Sequence, residues 1–581
     1  MSGTADPFFG NRFIAASWRP GAPGPLLDRL RATVSTWSVA AGDGWLLASE
    51  RADAFSREGG VAVALSRSAA FDRNLARFRP PRDIAAGLEG SGLTTLDGMA
   101  PPFRTIWAET SRSVVHCATD VFGLGQVFVS VDQNAAFASS SATLLADILG
   151  SGLSAERLTG HALFGGFIGT ETPFAGIDKL PAGTIATLLG GRIEFTQRWR
   201  MPTATTTVPT AFREAMAAML SAAPNVELEL SGGLDSRIIL AAIPPEARKD
   251  RRAITIGLAG EPSEDVTVAR DLAQSSELDW RLLDASEVSE LDASGLETML
   301  LSAAAAYDHM ANPLDKITLI LAGRNRRVDA RLGGQNGEIL RGFYYPAQPL
   351  SSPPSENLAR GLISMRLQAN DRVEDVVLSS ALRRELRADA EARMTKTLLS
   401  FEGTWGQALD QFYLYQRMQN WVGNATGHRL MDHAPLYPFF DPAFVAAALS
   451  LAPEEKLNSR AAYQLLCDLD MDLAQRPLAG GIVPARARHG GRGSDLVLDG
   501  QRILGRLGRL LKGRGRATLG SRTITDHWRR LNLHARLPVD ALARTGLFDL
   551  DGLARIGSGE FAPSRPTLGF VLLIASLEKR S

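Results

Sequence analysis

Glu227-Leu228-Glu229-Leu230-Ser231-Gly232-Gly233-Leu234-Asp235-Ser236-Arg237-Ile238-Ile239-Leu240 is the stretch on which the reading of this chain turns. Its first four residues read as the end of a buried strand and its last six as the start of an apolar helix, with a Ser-Gly-Gly turn between them. Such a turn presents several backbone N–H groups to one concave point. Glycine lets that backbone approach an anion closely. The positive end of the helix dipole adds about 0.3–1 kcal/mol for an anion held there. Ser231 and Ser236 offer hydroxyl donors. Asp235 is the wrong charge for a phosphate unless a Mg²⁺ ion stands between carboxylate and phosphate, so the motif implies both a polyphosphate and a divalent cation.

The same alternation continues on either side. AFREAMAAMLSAA precedes the stretch as a helix, AITIGL follows as a second strand and SEDVTVARDLAQSS as a second helix. Strands alternating with helices predict a doubly wound parallel sheet, so the class is α/β. Beyond Glu287 helices are expected to dominate to the end. Upstream, RFIAASW, GWLLASE, VAVALS, SVVHCAT, QVFVSV, PAGTIATLLGG and RIEFTQRW are short apolar runs broken by turn residues, which predicts a β-rich sandwich. The polar PTATTTVP stretch separates the two patterns. We place the boundary there, giving domains 1–205 and 206–581.

Bulk properties narrow the function classes. Lys and Arg number 63 and Asp and Glu number 63, so no global field points to nucleic acid or membrane, and neither partner is expected. Two cysteines in 581 residues, Cys117 and Cys467, make neither a disulfide framework nor a metal cluster and suit a reducing cytoplasm. The opening MSGTADPFFGNRF lacks a basic segment leading into an apolar one, so no signal peptide is expected. The apolar run Gly569–Ala575 is too short to cross a membrane. Residues 502–530 are locally basic and are read as a solvated helix face and loop, with a docking surface for an acidic peptide or partner as the alternative.

Ser231–Ser236 resembles the pyrophosphate loop of the N-type ATP pyrophosphatases, and its surroundings resemble the asparagine synthetase superfamily. Three further stretches carry the resemblance in order: Ala253–Leu258 with Glu264-Asp265, the glycine loop Leu332-Gly333-Gly334-Gln335-Asn336-Gly337-Glu338 with Gly342-Phe343-Tyr344, and Tyr437-Pro438-Phe439-Phe440-Asp441. The resemblance implies ATP and Mg²⁺ as cofactors and adenylation of a carboxylate with release of AMP and pyrophosphate. It implies that Leu230 and Ile256 contact the adenine, with Gly257 and Gly333 beside the nucleotide. Ser231, Gly232, Gly233, Asp235 and Ser236 would hold the pyrophosphate, and Asp235 and Glu338 the metal. Where the family has an Asp before that Glu, this chain has Gly337. Where the family has a lysine that neutralises the pyrophosphate, this chain offers Arg486 or Arg488. Tyr307, Asp308, His309 and Tyr344 are candidate substrate-binding residues; for His309 a structural role stands as the alternative. Asp265 is either a helix cap or a substrate neighbour. Lys456 reads as structural.

The N-terminal part resembles the glutaminase (Ntn-type) domain that precedes such synthetases, through Ala118–Gly125, Phe137–Ser140 and Lys179–Gly183. A glutaminase of that type uses the thiol and amine of an N-terminal cysteine. Here Ser2 follows Met1, so a degenerate domain lacking its catalytic Cys is expected. An enzyme without its own ammonia uses an amine already on the substrate. The resemblance is closest to lasso peptide cyclases, which join a precursor (core) peptide's N-terminal amine to an Asp or Glu side chain and work with a leader-peptide-binding protein and a leader peptidase. A β-lactam synthetase or related ligase of small carboxylates is the alternative, and a non-catalytic nucleotide-binding scaffold the second. For a nine-residue ring the length-dependent closure cost is about 2 kcal/mol. Holding amine and activated acyl group in attack geometry is worth about 7–11 kcal/mol, so positioning dominates.

Overall fold

The computed structural model describes residues 10–258 except 20 and 23, and residues 263–323, 330–345, 348–426, 433–488 and 520–579. The basic run 502–519 therefore lies outside the described residues; Arg522, Arg529 and Arg530 fall on the helix Ser521–Arg530.

The N-terminal domain is two six-stranded antiparallel sheets packed face to face. The first strand, Phe13–Trp18, lies inside one sheet, pairing with Trp45–Ser49 and Ala135–Ser139. The second sheet runs from the edge hairpin Thr184–Leu189/Arg192–Gln197 through Val114–Thr119, Arg104–Glu109 and Val61–Leu65 to Phe55–Glu58. Alternate residues from facing strands, among them Phe13, Ala15, Leu47, Ala62, Ile106, Cys117 and Ala138, fill the space between them.

The second domain carries five parallel strands in the order Asp279–Asp284, Arg252–Gly257, Glu227–Glu229, Ala330–Leu332, Ala434–Leu436. The strand that comes first along the chain, Glu227–Glu229, therefore lies in the middle. Consecutive strands are laid down to one side of it and then to the other. Ligands in such sheets bind at the carboxyl ends of strands where that order reverses. Here the reversal falls between Glu227–Glu229 and Ala330–Leu332, between the Ser231–Ser236 turn and the Gly333–Glu338 loop. Two of the five strands, Ala330–Leu332 and Ala434–Leu436, lie beyond Glu287, where the sequence pattern pointed to helices. Each has three residues, too few to display a period of two.

The C-terminal region is helical. Its last helix, Arg565–Glu578, is buried at every position from Thr567 to Leu577, which marks a helix surrounded by protein. It packs on Ala293–Ala306 of the second domain, and Phe570 stacks on His161 of the first at 5.8 Å. Among the described residues no helix is long and apolar enough to cross a membrane.

Candidate functional site

The turn after Glu227–Glu229 is held by its own serines. Ser236 Oγ accepts from the Ser231 backbone N–H at 3.0 Å and donates to the Ser231 carbonyl at 3.1 Å, and Ser231 Oγ accepts from the Gly233 N–H at 3.1 Å. Gly233 starts the helix Leu234–Ala241 with no side-chain cap, so its first N–H groups remain available to an external anion. A Cβ on Gly232 would stand 3.0 Å from Ala479 Cβ and from the Asp265 backbone. The turn is thus walled by the second helix's first turn on one side and by residues 476–481 on the other. That second wall is fixed by Ala479 N–H donating to the Gly232 carbonyl at 3.0 Å and Gly480 N–H to Glu264 Oε1 at 2.8 Å.

Asp235 faces the glycine loop from across the sheet reversal. A Cβ at Gly337 would fall 2.3 Å from Asp235 Cγ, and one at Gly334 3.1 Å from Asp235 Cβ. The loop lies directly on the aspartate, so no side chain fits at Gly337 while Asp235 keeps this position. Asn336, in the left-handed region with φ +77°, anchors the loop by donating to the Phe439 carbonyl at 2.7 Å. Glu338 then comes within reach of the same cation as Asp235: Arg341 Nη2 lies 2.5 Å from Asp235 Oδ2 and 3.6 Å from Glu338 Oε1. Tyr413 Oη donates to Glu338 Oε2 at 2.8 Å.

The electrostatics follow from this packing. Burial raises Asp235 to about 7; Arg341 opposes that shift and Glu338 adds to it. Burial alone would lower Arg341, but Asp235 and Glu338 outweigh it and its pKa is raised. Asp235 Oδ1 is buried without a hydrogen-bond partner, an unmet acceptor that a cation would satisfy. No group of three or more His, Cys, Asp or Glu among the described residues forms a metal cage. Two carboxylates beside a phosphate cradle are the set Mg²⁺ takes when nucleotide oxygens and water supply its remaining ligands. The residues therefore fit a nucleotide-bound Mg²⁺ at Asp235 and Glu338.

Residues 207–466 match the family model of asparagine synthase. No curated protein sequence matches the chain. Two solved structures it is similar to are the allosteric regulatory enzyme of purine biosynthesis, with 8% identity, TM-score 0.23 and coverage of 47% of this chain and 80% of that one, and the glutamine phosphoribosylpyrophosphate amidotransferase from B. subtilis complexed with ADP and GMP, with 10% identity, TM-score 0.23 and coverage of 47% and 65%. The family match supports an ATP-dependent, amide-forming ligase of the asparagine synthetase superfamily over the matched stretch.

Within the matched stretch, Leu230 is buried at the head of the turn and Ile256 is half-buried on the adjoining strand, with Gly257 packed on Leu282 and Val266. A Cβ at Gly333 would stand 2.9 Å from both Glu229 Oε2 and Tyr437 Cε1. Asp441 caps its helix through the Ala443 and Phe444 N–H groups and pairs at 2.6 Å with Arg73 of the N-terminal domain. Ser263 caps the second helix and Asp265 stands in its first turn, its carboxyl raised by burial.

Four of the candidate residues are found in other surroundings: one is exposed and three have partners outside the turn and the glycine loop. Arg486 is exposed, and Arg488 hydrogen-bonds the Cys467 thiol. The cation that meets the two carboxylates is Arg341, three residues after Glu338 in the same loop. Asp308 and His309, both with positive φ (51° and 55°), are held by the N-terminal domain and the last helix. Asp308 Oδ1 accepts from Ser141 Oγ at 2.5 Å and from the Thr143 N–H at 3.1 Å. His309 sits between Thr143 Oγ1 and Ser576 Oγ, each at 3.2 Å. They join the N-terminal domain to the second domain and the last helix. Tyr307 and Tyr344 lie among aromatic and cationic side chains: Lys316 Nζ is 5.1 Å from the Tyr307 ring and Arg366 5.2 Å from the Tyr344 ring. Lys456 is fully buried and donates to Asp410 at 2.6 Å, as does Tyr345 Oη, a packed network away from the site.

One further element was not visible in the sequence. Tyr413–Gly423 is a π-helix, a geometry concentrated at functional positions. One face carries Tyr413 to Glu338. The other binds N-terminal-domain backbone: Gln416 donates to the Phe167 carbonyl and accepts from the Gly169 N–H, Asn420 donates to the Phe167 carbonyl, and Gln419 to the Phe122 carbonyl, at 2.7–2.9 Å. Phe122 belongs to a turn whose N–H groups at Phe122, Leu124 and Gly125 all point at Asp120.

Proposed function

We propose that this protein is an AMP-forming ligase that adenylates a side-chain carboxylate of a precursor peptide and lets the peptide's own N-terminal amine capture it, closing a macrolactam through an isopeptide bond. The observation that carries the ligase part is the opposition of Asp235 and Glu338 across the sheet reversal, one from the phosphate turn and one from the glycine loop facing it. The serine-tied turn and the helix N–H groups would take the β- and γ-phosphates, and Mg²⁺ held by Asp235 and Glu338 would neutralise the departing pyrophosphate. Arg341, attached to both carboxylates, is the side chain able to follow that charge. Electrostatic stabilisation of this kind is commonly worth about 3–4 kcal/mol per group.

The intramolecular-amine part rests on the N-terminal domain. The head of its first strand carries Asn11, buried and bonded to Ser49 Oγ and the Leu65 carbonyl at 2.9 and 2.6 Å, and no cysteine. Cys117 is sealed in the sandwich, its thiol pushed up to about 12 by burial, too protonated to act as a nucleophile. A domain with no thiol at that strand has no means of releasing ammonia from glutamine. It is instead bonded to the second domain, at Asp308, at His309 and at the π-helix that carries Tyr413 to Glu338. A leader-peptide-binding protein and leader peptidase as partners, and a cytoplasmic setting, belong to the same proposal.

The test is stoichiometric. The purified protein with Mg²⁺-ATP should release AMP and pyrophosphate only when a peptide bearing a free N-terminus and an internal Asp or Glu is added, and the product should be lighter by one water. ADP and phosphate as products, or glutamate release from glutamine that matches amide formation, would refute it.

A further inference from the structure

Arg237 lies on the helix Leu234–Ala241, which begins at the phosphate turn, and its side chain is fully buried. Its guanidinium bonds to backbone. It donates to the carbonyls of Arg476 at 2.6 Å, of Pro477 at 2.8 Å and of Leu473 at 3.4 Å. Burial, with the neighbouring Arg476 charge, lowers its pKa to about 10, so the group remains a cation at neutral pH. The planar fork of a guanidinium is suited to several acceptors at once. The acceptors here are a carbonyl of the helix Met471–Gln475 and those of the two residues that follow it, the groups a helix end leaves without internal partners.

The chain beyond those carbonyls returns to the turn, where Ala479 N–H donates to the Gly232 carbonyl at 3.0 Å. A circuit is thereby closed, from the turn through its helix to Arg237, across to residues 476–477 and back through Ala479. The last bond decides which way one peptide unit faces. In a trans peptide the carbonyl and the N–H point in opposite directions. With the Gly232 carbonyl turned to the wall, the Gly233 N–H points away from it and meets Ser231 Oγ at 3.1 Å. Rotation of the Gly232–Gly233 peptide would exchange the two and present a carbonyl oxygen where the turn offers donors to an anion. Gly233, now at φ −78°, would swing to positive φ, which glycine adopts at little cost. Sequence alone does not hold this peptide in place, and the wall does.

We propose that Arg237 is a positioning residue for phosphate binding: by anchoring residues 476–477 it keeps Ala479 on the Gly232 carbonyl and so locks the Gly232–Gly233 peptide in its anion-accepting orientation. This deepens the ligase reading and rests on it only for the Ser231–Ser236 turn being a phosphate cradle.

The experiment titrates the whole protein with Mg²⁺-pyrophosphate in a calorimeter, which returns the number of sites and the Kd separately. Arg237→Met removes the anchor. Ala479→Pro removes the N–H that holds the carbonyl, on a half-buried stretch of backbone, and leaves Arg237 in place. Each should raise the Kd about tenfold or more, with the number of sites per chain equal to that of the wild type. A merely structural role for Arg237 gives the opposite pattern, fewer competent sites at an unchanged Kd, and overturns the proposal. An unchanged Kd in Ala479→Pro overturns it as well, and that variant alone decides should Arg237→Met fail to fold. A wild-type protein that binds no Mg²⁺-pyrophosphate removes the cradle and this role together. If the Kd follows both substitutions yet no AMP is ever released, the ligase reading falls and the lock on the turn stands.

Discussion

The phosphate turn and the π-helix that reaches Glu338 are built in opposite ways. The turn is contiguous: within six residues, Ser231 to Ser236, it contains its own hydrogen bonds, its glycines and its metal-facing carboxylate. The other side is assembled: Tyr413 meets Glu338 from 75 residues further along the chain, and the π-helix that carries it is held by the N-terminal domain. A contiguous motif is stable in its geometry because the strand and helix that flank it fix it. An assembled one is only as good as the contacts behind its walls. This difference predicts how each responds to mutation.

Asp235→Ala should have the largest effect. It removes the carboxylate that joins the turn to the glycine loop, and AMP release should fall by roughly 10³-fold, while circular dichroism and the denaturation midpoint without nucleotide stay near wild type. Activity within tenfold of wild type would mean that the phosphates bind elsewhere, and the contrast drawn above would have no basis.

Next is the identity of the cation. Arg341→Met should lower AMP release by about 10²-fold, since it is the guanidinium within 3.6 Å of both carboxylates. Arg486→Ala and Arg488→Ala should each change it less than threefold. The reverse ranking, measured under the same conditions, would return the pyrophosphate role to residues 486–488 and leave Arg341 a counter-ion of Asp235 and Glu338.

These two cases show where sequence was sufficient. The α/β class, the β-rich sandwich before it and the strand–turn–helix around Ser231 were legible because each is written in local periodicity and turn chemistry. The strands Ala330–Leu332 and Ala434–Leu436 were not, because three buried residues carry no period and are strands only by pairing with their neighbours. Arg341 was within reach: a cation three residues after Glu338 in a glycine-rich loop is spaced to pair with it. The partners of Asp308 and His309 were not legible either. Polar residues following an apolar helix signal a site in general, but here the partners that use them, Ser141, Thr143 and Ser576, stand 165 or more residues away in the chain.

Gln416→Ala probes the assembled side. It deletes two bonds from the π-helix to the N-terminal domain, at Phe167 and Gly169, without touching the turn. Turnover should drop about three- to tenfold through displacement of Tyr413 and Glu338, with the Km for ATP unchanged, and stability should fall by about 1–2 kcal/mol. An equal change in ATP affinity would show that the two sides are not separable and that the turn also depends on the interface.

The smallest effect is a pH slope, and it tests the turn in the absence of any ligand. Asp235 has a folded pKa raised by burial from 3.8 to about 7, so the native protein holds this proton more tightly than the unfolded chain does. The stability it contributes is complete below the unfolded value and is lost as pH rises through 7. Asp235→Asn cannot ionise and has no such slope. Measured by chemical denaturation without nucleotide, the variant's stability relative to wild type should therefore improve between pH 5 and pH 8, by at most about 2–3 kcal/mol. The absolute difference at either pH also includes the altered contact with Arg341, whereas the slope isolates the proton. A flat difference would mean that Arg341 keeps Asp235 ionised throughout, a closed ion pair that an incoming cation would have to break. A rising one means that at neutral pH the carboxylate is poised at its own midpoint, and that binding a divalent ion with nucleotide there displaces a proton, so that nucleotide affinity should climb over the same interval in which the apo protein weakens.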